Sequence, residues 1–187
     1  MKKIILLGLL LSLGMRGAAQ EISLTESGAY EKKEVVKVDS TTASVLFSRA
    51  MEALSDWTGP DGKAKAGIDY QDKETGTVIY KGNFSLGFKN TFLGDGWNRY
   101  ANFTLKVRCK DGRAQVSVTV PTITAIYNKN GNRVEHSTAI WVDAVQKAKG
   151  AKHERGVKLI EDLTTTADGL VAAMSERLKN GSNDDDF

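Results

Sequence analysis

The stretch ANFTLKVRCKDGRAQVSVTV, residues 101–120, constrains the fold more than any other part of the chain. Asp111-Gly112 is a two-residue hairpin turn, the dipeptide that accepts positive φ at both central positions, and it is flanked by alternating residues. Such a turn pairs Cys109 with Ala114, Val107 with Val116, Leu105 with Val118 and Phe103 with Val120. The intervening residues pair Arg108 with Gln115, Lys106 with Ser117 and Thr104 with Thr119. One face is wholly apolar and the other wholly polar, the signature of an antiparallel sheet buried on one side. Each of these apolar side chains contributes about 1.5–3 kcal/mol when fully buried, so something must cover that face.

Two helical patterns are available to cover it. In TASVLFSRAMEALSDW, Leu46, Phe47, Ala50, Met51, Leu54 and Trp57 recur at spacings of three and four, which predicts a helix over 42–57. Gly59-Pro60-Asp61-Gly62 ends it. Near the C-terminus, Ile160, Leu163, Ala167, Leu170, Val171, Met174 and Leu178 form a longer stripe, predicting a helix over about 153–179 that lies across the sheet. A coiled-coil dimer is the competing reading, weakened by the β-branched run Thr164–Thr166. Gly169 costs that helix about 1 kcal/mol relative to alanine. Helical spacing also appears in Ile140, Trp141, Ala144, Val145 and Ala148. Strands are expected at 35–38, 67–71, 77–84, 99–110 and 113–126, and Asn130-Gly131 offers a second hairpin pairing Tyr127 with Val134.

The segment IDYQDKETGTVIYKG, residues 68–82, gathers Asp69, Asp72, Glu74 and Gly76. A calcium loop would need glycine at its sixth position, where Thr77 stands when the count starts at Asp72. A phosphate loop would need a helix after the glycine, where TVIYKG is strand-like. The segment is therefore read as two strands joined by a turn at Asp72–Gly76.

The chain opens MKKIILLGLLLSLGMRGAAQ: two lysines, an apolar run over Ile4–Leu13, then Gly17 and Ala19 at the small positions a signal peptidase reads. Residues 1–19 are expected to be a signal peptide cleaved before Gln20, against the alternative of an N-terminal anchor. No cysteine follows the apolar run, so a lipoprotein is not expected. The leader holds three of the 26 basic residues and no acid, leaving 23 basic against 23 acidic groups in the remaining 168 residues. An overall basic excess, the footprint of a nucleic-acid binder, is missing, and nucleic acid is not expected as a partner. A chain of this length buries about 70% of its unfolded surface and needs no disulfide, which fits a single cysteine.

The helix ending near Trp57, the motif Tyr-Gln-Asp-x-Glu-Thr-Gly at 70–76 and the Asp-Gly-Arg hairpin at 111–113 together resemble an exported bacterial family, domain of unknown function 4468. The resemblance covers roughly residues 35–126 and implies an α+β, TBP-like fold: an antiparallel β-sheet in the order β-α-β-β-β-β-α with helices packed on one face. It implies no catalytic residue. A TBP-like sheet that binds DNA does so with two repeats, basic side chains and apolar wedges, and this chain holds one copy. The expected organisation is a signal peptide at 1–19, a linker at 20–34, the TBP-like domain at 35–126, a hairpin and C-terminal helical segment packing on the sheet at 127–180, and an acidic tail at 181–187.

Residues able to carry chemistry are few. Cys109 falls on the apolar sheet face, where a thiol is a core residue rather than a nucleophile. His136 and His153 lie in polar segments without zinc-binding spacing, and neither G-x-S-x-G nor S-x-x-K occurs. Asp184–Asp186 read as a solvated tail. No metal site and no cofactor is expected. A carboxylate pair is invisible in sequence, so catalysis stays open, with a non-catalytic role preferred. The remaining site candidate is NFSLGFKNTFLGDGW, where Phe84, Leu86, Phe88, Phe92 and Trp97 form either a strand feeding the core or an aromatic lip that binds a ligand. The resulting expectation is an exported, non-catalytic binding or interaction domain of the bacterial cell envelope, periplasmic or extracellular, meeting a protein, glycan or lipid partner. The alternatives are a small carboxylate-dependent hydrolase and a carrier of an apolar ligand between sheet and C-terminal helix.

Overall fold

A computed structural model describes residues 22, 24–55, 67–90 and 96–181, with only the backbone described for 88–90. The expected signal peptide, residues 56 and 57 of the first helix, Phe92 and the acidic tail at 182–187 lie outside the described residues.

The strands are β1 (Tyr30–Lys37), β2 (Gly67–Asp72), β3 (Thr77–Asn90), β4 (Gly96–Lys110), β5 (Arg113–Tyr127) and β6 (Arg133–Ser137). The helices are α1 (Ala43–Ser55), α2 (Thr138–Lys147) and α3 (Ala151–Asn180). Among the described residues the strands form one antiparallel sheet in the order β1-β5-β4-β3-β2, with β6 continuing alongside β5 where β1 stops. This is the expected α+β architecture, with β6 and α2 added after the fifth strand.

The β4–β5 hairpin pairs Cys109–Ala114, Val107–Val116 and Leu105–Val118, as the turn requires. All six are buried. The helices lie on this face: Leu46, Ala50 and Leu54 of α1, and Leu163, Ala167, Val171, Met174 and Leu178 of α3, complete the core. The α3 stripe is thus consumed within the chain, against the sheet and α1, which answers the coiled-coil alternative. Arg49 of α1 donates to the carbonyls of Leu178 and Lys179, tying the two helices at the end of α3.

The expected pairing of Phe103 with Val120 is overturned by one residue. Register slips between Thr104–Thr119 and Asn102–Thr122, so Val120 and Pro121 together oppose Phe103. Proline has no N–H for the ladder and is tolerated in a strand only at such a bulge or at an unpaired edge. The slip inverts the alternation: Ala114, Val116, Val118 and Val120 face the helices before it, and Ile123 and Ala125 do so after it. The second hairpin is also shifted. Ala125, not Tyr127, pairs with Val134, because Tyr127–Asn132 closes a longer turn in which the Gly131 N–H donates to the Tyr127 carbonyl.

The first strand begins at Tyr30, five residues before the expected start, so the supposed linker at 20–34 is largely structured. Leu24 bridges to Tyr30 across a tight turn, and Ala29 and Tyr30 are buried. The charged run Glu31–Glu34 hides this strand in the sequence. It is an edge strand, so Glu31 and Lys33 reach solvent on one face while Lys32 bonds Asp168 of α3 on the other. Tyr30 Oη donates to the same carboxylate at 2.8 Å.

At Asp72–Gly76 the side chain of Asp72 accepts from the Glu74 and Thr75 N–H groups and from the Thr75 hydroxyl, an Asx-turn network that lowers its pKa. Gly76 has φ +61°, its carbonyl accepts from the Cys109 N–H at 2.8 Å, and a Cβ there would stand 2.7 Å from the Cys109 oxygen. Gly76→Ala is therefore expected to destabilise the fold by about 1–3 kcal/mol, read by urea unfolding. In contrast, Gly169 lies within α3 with open space around it, and Gly169→Ala is expected to stabilise by about 0.5–1 kcal/mol in the same assay. Burial, with the Asp168 hydrogen bond and charge, raises the Tyr30 pKa well above 10. The unfolded chain then loses this proton first as pH climbs past about 10, so stability falls in that range. Tyr30→Phe is expected to flatten that alkaline decline, measured as Tm against pH.

Candidate functional site

The β4 alternation that buries Ala101, Phe103 and Leu105 also places Arg99 and Trp97 on the helix-covered face. An arginine at an inward register position breaks the pattern of the strand. Its guanidinium lies 5.8 Å from the ring centre of Trp141 on α2, a cation–π contact. Burial, then the neighbouring charge of Arg155 on α3, lowers its pKa. Among the described residues no carboxylate or other hydrogen-bonding group pairs with it.

Arg99 forms part of a cleft of about 640 Å³ between the ends of β3 and β4 and the pair α2–α3. That volume lies within the usual range for small-molecule sites. Leu86, Trp141, Val145 and Leu159 supply apolar wall, while Lys152, Arg155 and Lys158 join Arg99 against one acid, Asp162. The α3 N-terminus adjoins the cleft through Lys152, and its first turn has no side-chain cap, so the positive end of the helix adds to the same field. The cleft therefore has a cationic side and an apolar side.

Sequence features place these walls. Ser137 caps α2 through the Ile140 N–H. The Trp141 indole N–H donates to the Ile123 carbonyl at 3.3 Å, which holds the ring over Arg99. Gly156 lets α3 approach α2, since a Cβ there would stand 2.6 Å from a Val145 methyl. His153 Nδ1 lies 3.0 Å from the Val145 carbonyl, which can only accept, so this nitrogen carries the proton and bonds the two helices.

A second cleft, about 570 Å³, lies between β1, α2 and α3. Its polar groups are largely satisfied: Tyr30 and Lys32 bind Asp168, and His153 binds backbone. The contrast marks the Arg99 cleft as the candidate site.

The predicted aromatic lip is divided by the fold. Phe84 is 1% exposed and packs on Phe103 with ring centres 5.8 Å apart, so it is core and not surface. Leu86 is buried and borders the cleft. The alternation linking Phe84, Leu86 and Phe88 is interrupted by a register shift between Ser85 and Phe88, beside Gly87 at φ +80°, and Phe88 pairs with Asn98. Trp97 stacks on Tyr127 at 5.1 Å. Phe92 lies outside the described residues. Cys109 is 3% exposed, and burial pushes its thiol up to about 11, where little thiolate exists near neutrality. His136 is exposed on β6. Among the described residues no three metal-capable side chains converge, and no helix is long and apolar enough to cross a membrane. Arg99 was legible as the one charge among inward positions of β4; its partners Trp141 and Arg155 came from helices whose placement no local pattern gives.

Comparison with known proteins bears on the fold. The structure is similar to a TBP-like protein from Parabacteroides distasonis ATCC 8503, with a TM-score of 0.62 and 12% identity over 86% of this chain and 99% of that one. It is likewise similar to a DUF4468 family protein from Bacteroides ovatus ATCC 8483, with a TM-score of 0.59 and 15% identity over 90% and 94% of the two chains. No curated protein matches the chain significantly. The sequence of residues 33–124 matches the family described as domain of unknown function (DUF4468) with TBP-like fold, and it is to this family that the chain is similar.

Proposed function

We propose that this protein is a non-catalytic binding domain, exported to the bacterial cell envelope, whose ligand combines an anionic group with an apolar body and enters the cleft between the sheet and α2–α3. The observation that carries this reading is Arg99: an inward-facing, partly buried guanidinium beside a second cation and, among the described residues, with no carboxylate paired to it. Burying a cation next to another cation costs stability unless an anion joins them. The ligand's anionic group supplies that charge, and Leu86, Val145 and Leu159 receive its apolar part. Export rests on the first nineteen residues, read as a leader.

The reading makes Arg99 a residue that costs the empty fold stability. Arg99→Met is expected to leave the Tm of the ligand-free chain unchanged or raise it, while abolishing the response to ligand. With decyl phosphate as probe, the chain from Gln20 onward is expected to gain about 5–10 °C in Tm at a hundredfold excess over Kd, and the variant none. Native mass spectrometry of the same chain, purified from an exporting host without detergent, is expected to show a discrete added mass lost on denaturation. A large drop in Tm for Arg99→Met together with no probe response in the parent chain would sink the proposal.

A further inference from the structure

Among the described residues no helix covers the sheet face turned away from α1 and α3, and the end of it nearest the β4–β5 turn is a lattice of cations. Lys37, Arg113 and Lys110 lie side by side on β1, β5 and β4. Two residues along, Arg108 follows beside Gln115 and Val35, and then Lys106 beside Ser117 and Lys33. Like charges directly opposite one another on a sheet are destabilising. Among the described residues Lys37, Lys106, Arg108, Lys110 and Arg113 have no ion-pair or hydrogen-bond partner. Most of the acids nearby are committed elsewhere. Glu31 pairs with Lys33, Asp69 with Lys81, Asp72 closes its own turn, and Asp111 accepts from the Ala43 N–H at the start of α1. Asp39 and Glu74 lie in the turns beyond β1 and β2, outside the strands that carry the cations. The other half of the same face differs: there Asn102, Thr122, Thr124, Arg133 and Glu135 bond one another into a closed network.

We infer that this basic half-face is a docking surface for an anionic phospholipid bilayer, distinct from the cleft on the opposite side of the sheet. Three observations favour a membrane over other polyanions. The cationic residues spread in two dimensions, on backbone positions about 4.8 Å apart across strands and about 6.7 Å apart along them, which matches a plane of headgroups better than a single phosphate track. Tyr70 is the one aromatic residue among the described residues of this half-face, whereas single-stranded nucleic acid is held by successive stacking platforms. The groups between the cations include Val35, 56% exposed, and Tyr70, 48% exposed, with Ile79 beside it, which suit the apolar boundary beneath headgroups. A balanced overall charge does not oppose this, because the cations are gathered on one face.

The test is sedimentation with unilamellar vesicles of phosphatidylcholine, with and without phosphatidylglycerol. It uses the chain from Gln20 onward, which contains every described element and omits the apolar run Ile4–Leu13 that would partition by itself. Binding is expected on the anionic vesicles alone and is expected to weaken as salt shortens the Debye length below about 8 Å. Each cation near an anionic leaflet contributes about fivefold, so K106Q/R108Q/R113Q should lose about a hundredfold in affinity, while K106R/R108K/R113K keeps it. Far-UV circular dichroism and Tm of the glutamine variant are expected to match the parent, since all three side chains stand on an uncovered face. Equal binding to neutral vesicles, no binding to anionic vesicles at low salt, an unaffected glutamine variant, or binding to duplex DNA in place of the vesicles would each overturn the inference.

Discussion

The one-residue slip at Pro121 is the constraint on which the second half of the fold depends. Without it, Ile123 and Ala125 would face the same side as the polar residues of β5, and the sheet would lose its apolar continuity past Val120. Beside the slip, the buried hydroxyl of Thr138, the first residue of α2, donates to the Val120 carbonyl at 2.7 Å. Three residues further on, the Ile123 carbonyl accepts from Trp141. Helix α2 is thus fastened to the bulge by its own first turn. β1 ends and β6 begins at the same point, so the proline meets no neighbouring strand that needs its missing N–H.

From this anchorage the cleft follows. Trp141 is held over Arg99 because α2 is held to β5, and α3 closes the wall because Gly156 allows it near Val145. The cations are contributed by β4 and by the first turns of α3, elements distant in sequence. A site assembled this way has its geometry fixed by side-chain-to-backbone hydrogen bonds while Arg99 has no ion-pair partner among the described residues, and the proposed binding role rests on that combination.

The sequence carried the sheet well because periodicity two and a two-residue turn are local facts. The Asp111-Gly112 hairpin, the Asp72–Gly76 turn and the α3 stripe were all readable from neighbours within a few residues. What was not readable depended on distant partners. The charged first half of β1 reads as linker until Asp168, 136 residues beyond Lys32, is seen to receive it. Proline in a valine-rich run signals a disturbance without saying which way the register will move. The aromatic segment at 84–97 fails as a unit because a glycine bulge separates its members, and the cationic lattice escapes a net-charge argument because it is created by three strands lying side by side. The inward arginine was visible but had no meaning until a helix was placed above it.

Strand β2 closes the sheet on the side away from β1, and its character decides what the molecule can do in company. It is six residues long, largely exposed, and kinked by a register shift between Ile68 and Tyr70. Beside that shift, Asp69 pairs with Lys81. A short, bent, charged margin offers a neighbouring chain no straight row of free amides to copy. Strand addition from a neighbouring molecule is therefore disfavoured at this margin.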